Sequence, residues 1–298
     1  MKTVAITGAN GFLGTKLIKL ILNETDYNIV GIASHEEKIE NALKQENIDI
    51  SDRIKFVSNQ SFLDDEFRFE NVDDFFHLAF SRRNRSNEEI AASMDFAAAV
   101  FSKVQKSDVN RIVYLSSQSV YGNTSEIRTE LTAPAPATVY AASKYATEKI
   151  FEACFRNASI ETTSIRLDPV IQSQNVVRAL CRQAKYDGII KLKGGEQRFS
   201  YIDIEDAVRA LLCLIRYNGP WKKVYNVGLN NGRLTLIQLA DYIAGYAQKA
   251  TGNQVKIELD KQEIELWSGM DASLFMRDTG WEQRYGIEDM IAHVFDNE

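Results

Sequence analysis

The sequence predicts an α/β protein, a doubly wound parallel sheet carrying a smaller C-terminal lobe. Three observations lead there. Short β-branched runs alternate with amphipathic stretches through the first half of the chain, the pattern of a parallel sheet with helices on both faces. A glycine-rich turn joins the first strand directly to the first helix. After Leu167 the alternation loosens with no repeat, low-complexity tract or flexible linker, so the later elements are woven around the sheet. At 298 residues the chain is long for one compact core and short for two independent domains.

Taken in order, strands are expected at Thr3–Ile6, Asn28–Ile32, Ile54–Val57, Asp74–Leu78, Arg111–Ser116 and Thr162–Leu167. The helical patterns between them are Gly11–Leu22, Lys38–Gln45, Asn87–Ser107 and Ser143–Arg156. Right-handed crossovers then make the sheet doubly wound. Pro134 and Pro136 mark a loop before Tyr140, and Pro169 and Pro220 mark later breaks. Beyond Leu167, helices are expected at Val176–Tyr186, Ile204–Arg216 and Leu236–Ala250, with strands at Ile189–Leu192 and Val224–Val227.

Composition narrows the class. An apolar fraction of 45% and a charged fraction of 26% are ordinary for a globular core. A net charge of −6, from 41 acids against 35 bases, argues against nucleic acid or an anionic membrane as partner. Cys154, Cys181 and Cys213 form no C-x-x-C pair and read as packing residues in a reducing compartment. His35, His77 and His293 are scattered, so no metal site is expected. The opening run Thr3–Ile6 stops at Gly8 and does not resemble a signal peptide, and Ala207–Ile215 is too short to span a bilayer. The expected location is the cytoplasm.

Thr7-Gly8-Ala9-Asn10-Gly11-Phe12-Leu13-Gly14 follows the first strand. In such a turn the first glycine permits a tight bend and the second a close approach to a pyrophosphate. The third permits close helix–strand packing. The helix N-terminus offers free N–H groups to the phosphates. In this strand–turn–helix setting the motif points to NAD or NADP. The second strand ends Ile32-Ala33-Ser34-His35, with no acid to hold a ribose 2′-hydroxyl. Ser34, His35 and Lys38 are placed to meet a 2′-phosphate instead, which tilts the choice slightly toward NADP.

Tyr140 and Lys144 stand four residues apart, on one face of a helix. An ammonium there lowers the phenol's pKa toward working pH. Upstream, Leu115-Ser116-Ser117-Gln118-Ser119-Val120-Tyr121-Gly122 begins as a strand and ends as a polar loop, and the carboxyl ends of such strands bind ligands. A serine there can hydrogen-bond a substrate oxygen, but spacing alone does not choose which serine.

With these segments in order, the chain resembles the extended short-chain dehydrogenase/reductase family, in particular its NAD-dependent epimerase/dehydratase group acting on nucleotide sugars. The resemblance covers nearly the whole chain. It adds Phe76-His77-Leu78-Ala79, Glu148, Arg166 and Gly194–Ile202 with Asp206. It also adds Tyr225-Asn226-Val227-Gly228, and Asp271 before Gly280-Trp281. It implies a Rossmann-type sheet domain over 1–167 with 200–228 returning to it, and a substrate-binding lobe from 168–199 and 229–298. Ser117, Tyr140 and Lys144 would be catalytic, with Lys144 also gripping the nicotinamide ribose. Gly8, Asn10, Gly11, Phe12, Leu13, Gly14, Ser34, Leu78 and Ala79 would hold the cofactor with Tyr140 and Lys144. Ser81, Gln118, Ser119, Arg198 and Tyr201 would meet the substrate, and Asp206 would be structural. A homodimer through Asn87–Ser107 and Ser143–Arg156 is a further implication.

The chain departs from the pattern in places. Ser58-Asn59-Gln60 replaces an acid that contacts adenine, and Asp95 replaces a common Asn. Leu167-Asp168-Pro169 lacks the usual Asn and Gly-Pro, and Arg198 is one residue out of register. Dehydratases of the group place Asp-Glu after the catalytic Thr, whereas Gln118-Ser119 follow Ser117 here, which disfavours 4,6-dehydration. The resemblance therefore leads to C4 epimerisation of a nucleotide sugar through a transient 4-keto sugar. The alternatives are an NADP-dependent reductase of a 4-keto nucleotide sugar or small carbonyl, and a non-catalytic NAD(P)-binding regulator.

Overall fold

The structure is a computed structural model that describes residues 2–64, 67, 69, 71–229 and 233–298. The first half alternates as its periodicity requires. In chain order it runs β1 (Thr3–Thr7), α1 (Phe12–Glu24), β2 (Asn28–Ala33), α2 (Glu36–Gln45), β3 (Ile54–Ser58) and α3 (Asn59–Leu63). There follow β4 (Asp74–His77), α4 (Asn87–Gln105), β5 (Arg111–Ser117), α5 (Val139–Cys154) and β6 (Glu161–Leu167). The remainder holds α6 (Asn175–Arg182), β7 (Ile189–Lys193), β8 (Arg198–Phe199), α7 (Ile204–Arg216) and β9 (Val224–Val227). It ends with β10 (Leu234–Thr235), α8 (Leu236–Thr251), β11 (Lys256–Asp260), α9 (Ser273–Thr279) and α10 (Ile287–Phe295).

Seven strands form one sheet in the order β3-β2-β1-β4-β5-β6-β9. The pairs from β3 through β5 are all parallel. The chain leaves β1 toward β2 on one side and returns as β4 on the other, so a topological switch point lies beside the end of β1. Register fixes which ends meet there: Thr7 pairs with Ile32 and with His77, and His77 pairs with Tyr114. β5 continues from Tyr114 to Ser117, carrying its serines beyond the last paired position of β4.

The chain divides into two compact units. One comprises Met1–Gly122, Pro134–Arg166 and Val208–Tyr225, and the other Asn123–Ala133, Leu167–Ala207 and Asn226–Glu298. The first has a core of Ala5, Ile32, Phe75 and Ile112 packed with Val100, Phe101 and Val104 of α4 and Phe151 of α5. The second packs Leu180, Leu239, Ile243, Met290 and Phe295 of α6, α8 and α10 over Ile190 and Leu192 of β7.

Several boundaries differ from the sequence reading. α5 opens at Val139, four residues before Ser143, because Thr138 caps it by accepting the N–H of Ala141 at 3.2 Å. Tyr140 and Lys144 therefore both lie inside the helix. The expected helix Val176–Tyr186 is α-helical only to Arg182 and ends in a π-helical turn over Gln183–Asp187. β11 reads as polar because it is an edge strand, held by parallel pairing with β7.

Candidate active site

The glycine turn sits at the switch point. Gly8 has φ +70°, and a Cβ there would lie 3.0 Å from the Ala79 nitrogen and 3.3 Å from the Leu78 carbonyl carbon. The end of β4 thus closes on the turn at the two residues expected to pass a cofactor. A Cβ on Gly14 would stand 2.2 Å from the Gly8 carbonyl oxygen, so the helix can seat on the turn only with glycine there. α1 starts from Gly11 with no side chain capping its end. Its first N–H groups, beginning at Phe12 and Leu13, are those an anion would satisfy. This cradle fits a dinucleotide pyrophosphate. At the end of β2, Lys38 donates to Ser34 Oγ at 3.1 Å on an exposed rim.

The serines of β5 divide by their partners. Ser116 is buried and donates to Glu148 at 2.5 Å. The same carboxylate takes two bonds from Arg166, at 3.0 and 2.7 Å. Ser117 instead lies near Tyr140, where its hydroxyl lowers the pKa of the phenol. Its oxygen accepts the N–H of Ser119 at 3.2 Å and the Ser119 hydroxyl at 3.0 Å. With both lone pairs engaged, the Ser117 hydroxyl keeps its proton to donate. Ser119, expected at the substrate, is thus turned onto Ser117. Gln118 is buried at the start of a single 3₁₀ turn, Gln118–Tyr121.

Tyr140 is half-buried, and the Phe80 ring meets it edge-on at 6.1 Å. Burial raises its pKa, against the Ser117 hydrogen bond and the charge of Arg83, which lower it. Lys144 was expected to lower it, but its ammonium is committed elsewhere. It donates to the Leu115 carbonyl at 2.5 Å and lies 4.1 and 4.7 Å from the ring centroids of Phe80 and Tyr114. Burial there brings the Lys144 pKa down to about 7, opposed by Glu148. His77 is buried beneath, bonded through Nδ1 to Thr7 Oγ1 at 2.9 Å. Burial, then Lys144, lowers its pKa to about 3, so it is neutral.

Ser81 is tied to α4: its N–H donates to Ser93 Oγ at 3.0 Å and its hydroxyl to the Glu89 carbonyl at 3.0 Å. Arg198 and Tyr201 belong to the other compact unit. There Arg198 lies 5.5 Å from the Trp267 ring centroid. Tyr201 is only 3% exposed and stacks on Phe199, inside that unit's core. Asp206 accepts the N–H groups of Arg284 and Tyr285, at 3.0 Å each, and so anchors that segment. The sequence reading passed over Phe80 and Arg83. The signal was present in the run Phe80-Ser81-Arg82-Arg83-Asn84-Arg85, directly after His77-Leu78-Ala79.

Comparison with known proteins agrees with this architecture. Residues 4–228 match the model of the NAD dependent epimerase/dehydratase family. The chain is 25% identical to dTDP-glucose 4,6-dehydratase 1 of Escherichia coli (strain K12), over 97% of this chain and 90% of that protein. It is 24% identical to Protein CapI of Staphylococcus aureus, over 98% and 97%. The UDP-glucuronic acid 4-epimerase from Bacillus cereus, solved in complex with UDP-glucuronic acid and NAD, shares the fold. Its TM-score is 0.80 at 18% identity, covering 99% of this chain and 98% of that one. Among the described residues no helix is long and apolar enough to cross a membrane. With the glycine cradle, the Tyr140–Ser117 pair and the match over 4–228 in place, the chain belongs to the NAD dependent epimerase/dehydratase family.

Proposed function

We propose that this protein is an NAD-dependent enzyme that epimerises a nucleotide sugar at C4. The observation that carries the reading is the place of Tyr140 inside α5, one helical turn before the buried Lys144, in a family of epimerases and dehydratases. Gly8, Gly11 and Gly14, the α1 N-terminus at Phe12 and Leu13, and Leu78 and Ala79 would hold the dinucleotide, with Asn10, Ser34 and Lys144 beside it. When bound, NAD supplies a reversible hydride acceptor.

The chain's own groups move the proton. Tyr140 accepts the proton of the sugar hydroxyl and later returns it, and Ser117 orients the same oxygen. Lys144, whose ammonium rests on the Leu115 carbonyl, would grip the nicotinamide ribose. Gln118 and Ser119 offer no carboxyl pair, so the elimination performed by dehydratases lacks its acid and base here. Arg198, packed on Trp267, is proposed to hold the nucleotide. The polar rim of Ser34 and Lys38 favours a second reading, an NADP-dependent ketone reductase. A homodimer through α4 and α5 and a cytoplasmic location complete the proposal.

The test combines mass spectrometry of any nucleotide that co-purifies with a turnover screen of UDP-, dTDP- and GDP-sugars. Interconversion of C4 epimers is expected, lost by about a thousandfold in Tyr140→Phe with dinucleotide retained. An empty protein that reduces a simple ketone with NADPH would displace the epimerase. Equal turnover by Tyr140→Phe would remove the mechanism.

A further inference from the structure

Phe80 meets both Tyr140 and Lys144. Its ring centroid lies 4.1 Å from the Lys144 ammonium and 6.1 Å from the Tyr140 ring, which it meets edge-on. The Tyr114 ring lies 4.7 Å from the same ammonium, and the Leu115 carbonyl accepts one of its protons. Tyr114 and Leu115 are buried in β5. Phe80 comes from the loop after β4, yet its backbone is pinned on both sides. The Ala79 N–H before it donates to Thr7 Oγ1 of β1 at 3.4 Å. Ser81 after it donates its N–H to Ser93 Oγ and its hydroxyl to the Glu89 carbonyl, both on α4, at 3.0 Å each. All of these residues lie in one compact unit.

Lys144 is 3% exposed, so water does little to offset its charge. A desolvated ammonium is drawn to ring faces more strongly than an exposed one. An aliphatic side chain of similar bulk would fill the same space and offer the charge nothing. We propose that Phe80 is a positioning residue for Lys144, its fixed ring face holding the ammonium against the Leu115 carbonyl beside Tyr140. Its consequence for cofactor binding rests on the reading above, in which Lys144 grips the nicotinamide ribose. The other titratable groups around the ammonium are Glu148 of α5, which favours the charge, Tyr114 of β5, and His77 of β4, kept neutral by burial.

The full chain labelled with ¹³C at lysine Cε is titrated by NMR, with Lys144 assigned by its loss in Lys144→Met. In Phe80→Leu the Lys144 pKa should drop from about 7 by about one pH unit, the size of a buried cation–ring contact. Phe80→Tyr should restore it. A role in filling space alone gives the opposite sign, because a looser wall admits water and lets the pKa rise. A rise in Phe80→Leu, or no change, overturns the proposal. Should Phe80→Leu fail to fold, phenylalanines with one, two or three ring fluorines are placed at position 80. The pKa should step down with each fluorine as the ring face loses electron density, and a flat series overturns the proposal.

NAD carries the nicotinamide ribose and ADP does not, so their affinities test the consequence. Phe80→Leu should weaken NAD by about fivefold and leave ADP as it is. Equal losses for both ligands would assign Phe80 to the glycine turn and overturn the positioning role. If Lys144→Met binds NAD as tightly as the parent chain, the ribose reading of Lys144 fails, and the titration alone decides whether Phe80 holds the ammonium.

Discussion

Ser119 donates both its backbone N–H and its hydroxyl to Ser117, at 3.2 and 3.0 Å, and thereby fixes where the Ser117 proton points. In the proposed mechanism Ser119 would act on the phenol of Tyr140 through Ser117, as a positioning residue. In Ser119→Ala the Ser117 hydroxyl regains rotational freedom. Activity should fall about fivefold, the value of one ordinary hydrogen bond. The pH profile of kcat/KM should shift upward as Tyr140 loses a donor that lowers its pKa. Ser119→Thr should restore both. An unshifted profile in Ser119→Ala would show that the bond does not set the phenol.

The 2.2 Å approach between a Cβ on Gly14 and the Gly8 carbonyl is backbone against side chain, with no flexible atom to move. Gly14→Ala should cost about 2 kcal/mol or more of stability, as overpacking does. It should also strip the bound dinucleotide by displacing the turn. Thermal unfolding together with quantitation of co-purified nucleotide measures both. Retention of nucleotide at the original melting temperature would mean that the turn yields without cost.

The Glu148–Arg166 pair is sealed, each side chain being 5% exposed. The Arg166 guanidinium also lies 4.6 Å from the Tyr121 ring centroid. Glu148→Ala leaves a buried cation unpaired, and about 3–5 kcal/mol should be lost in urea unfolding. The double variant Glu148→Leu/Arg166→Met should recover most of it, since no charge is then stranded. A double variant as unstable as the single one would assign the loss to packing.

Asp168 is buried, and burial raises its pKa to about 6, against lowering by Ser200, the Leu229 N–H, Arg128 and Arg233. Ser200 Oγ and the Leu229 N–H both reach Oδ2, while Oδ1 finds no hydrogen-bond partner. Between the ordinary value of 3.8 and about 6 the folded chain keeps a proton that the unfolded chain has lost. This group's contribution therefore declines as pH rises through that window and stays low above it. Asp168→Asn should raise the melting temperature above that window, with the gain shrinking to nothing toward pH about 4. A gain that does not vary with pH would point to packing in place of ionisation.

The strands were legible because their signal is local. Val4, Ala5 and Ile6 are fully buried, as a strand covered by helices on both faces demands, so β-branched runs located β1 to β6 to within a residue or two. β8 and β10 are two residues each and pair antiparallel with one another, a partnership no local window contains. The α5 boundary escaped for a related reason: a threonine cap leaves a weaker trace than the hydrophobic stripe that follows it.

By itself, the sequence determined the doubly wound sheet, the glycine turn and the presence of a tyrosine and a lysine one helical turn apart, because each depends on neighbours along the chain. Only the tertiary structure decided how three serines in four residues divide their work. Ser116 finds Glu148, 32 residues away, while Ser119 turns onto Ser117. It also decided that Lys144 rests on the Leu115 carbonyl between two rings. Hydrogen-bond partners and charge neighbours are set by distance in space, and the folded backbone alone supplies those distances.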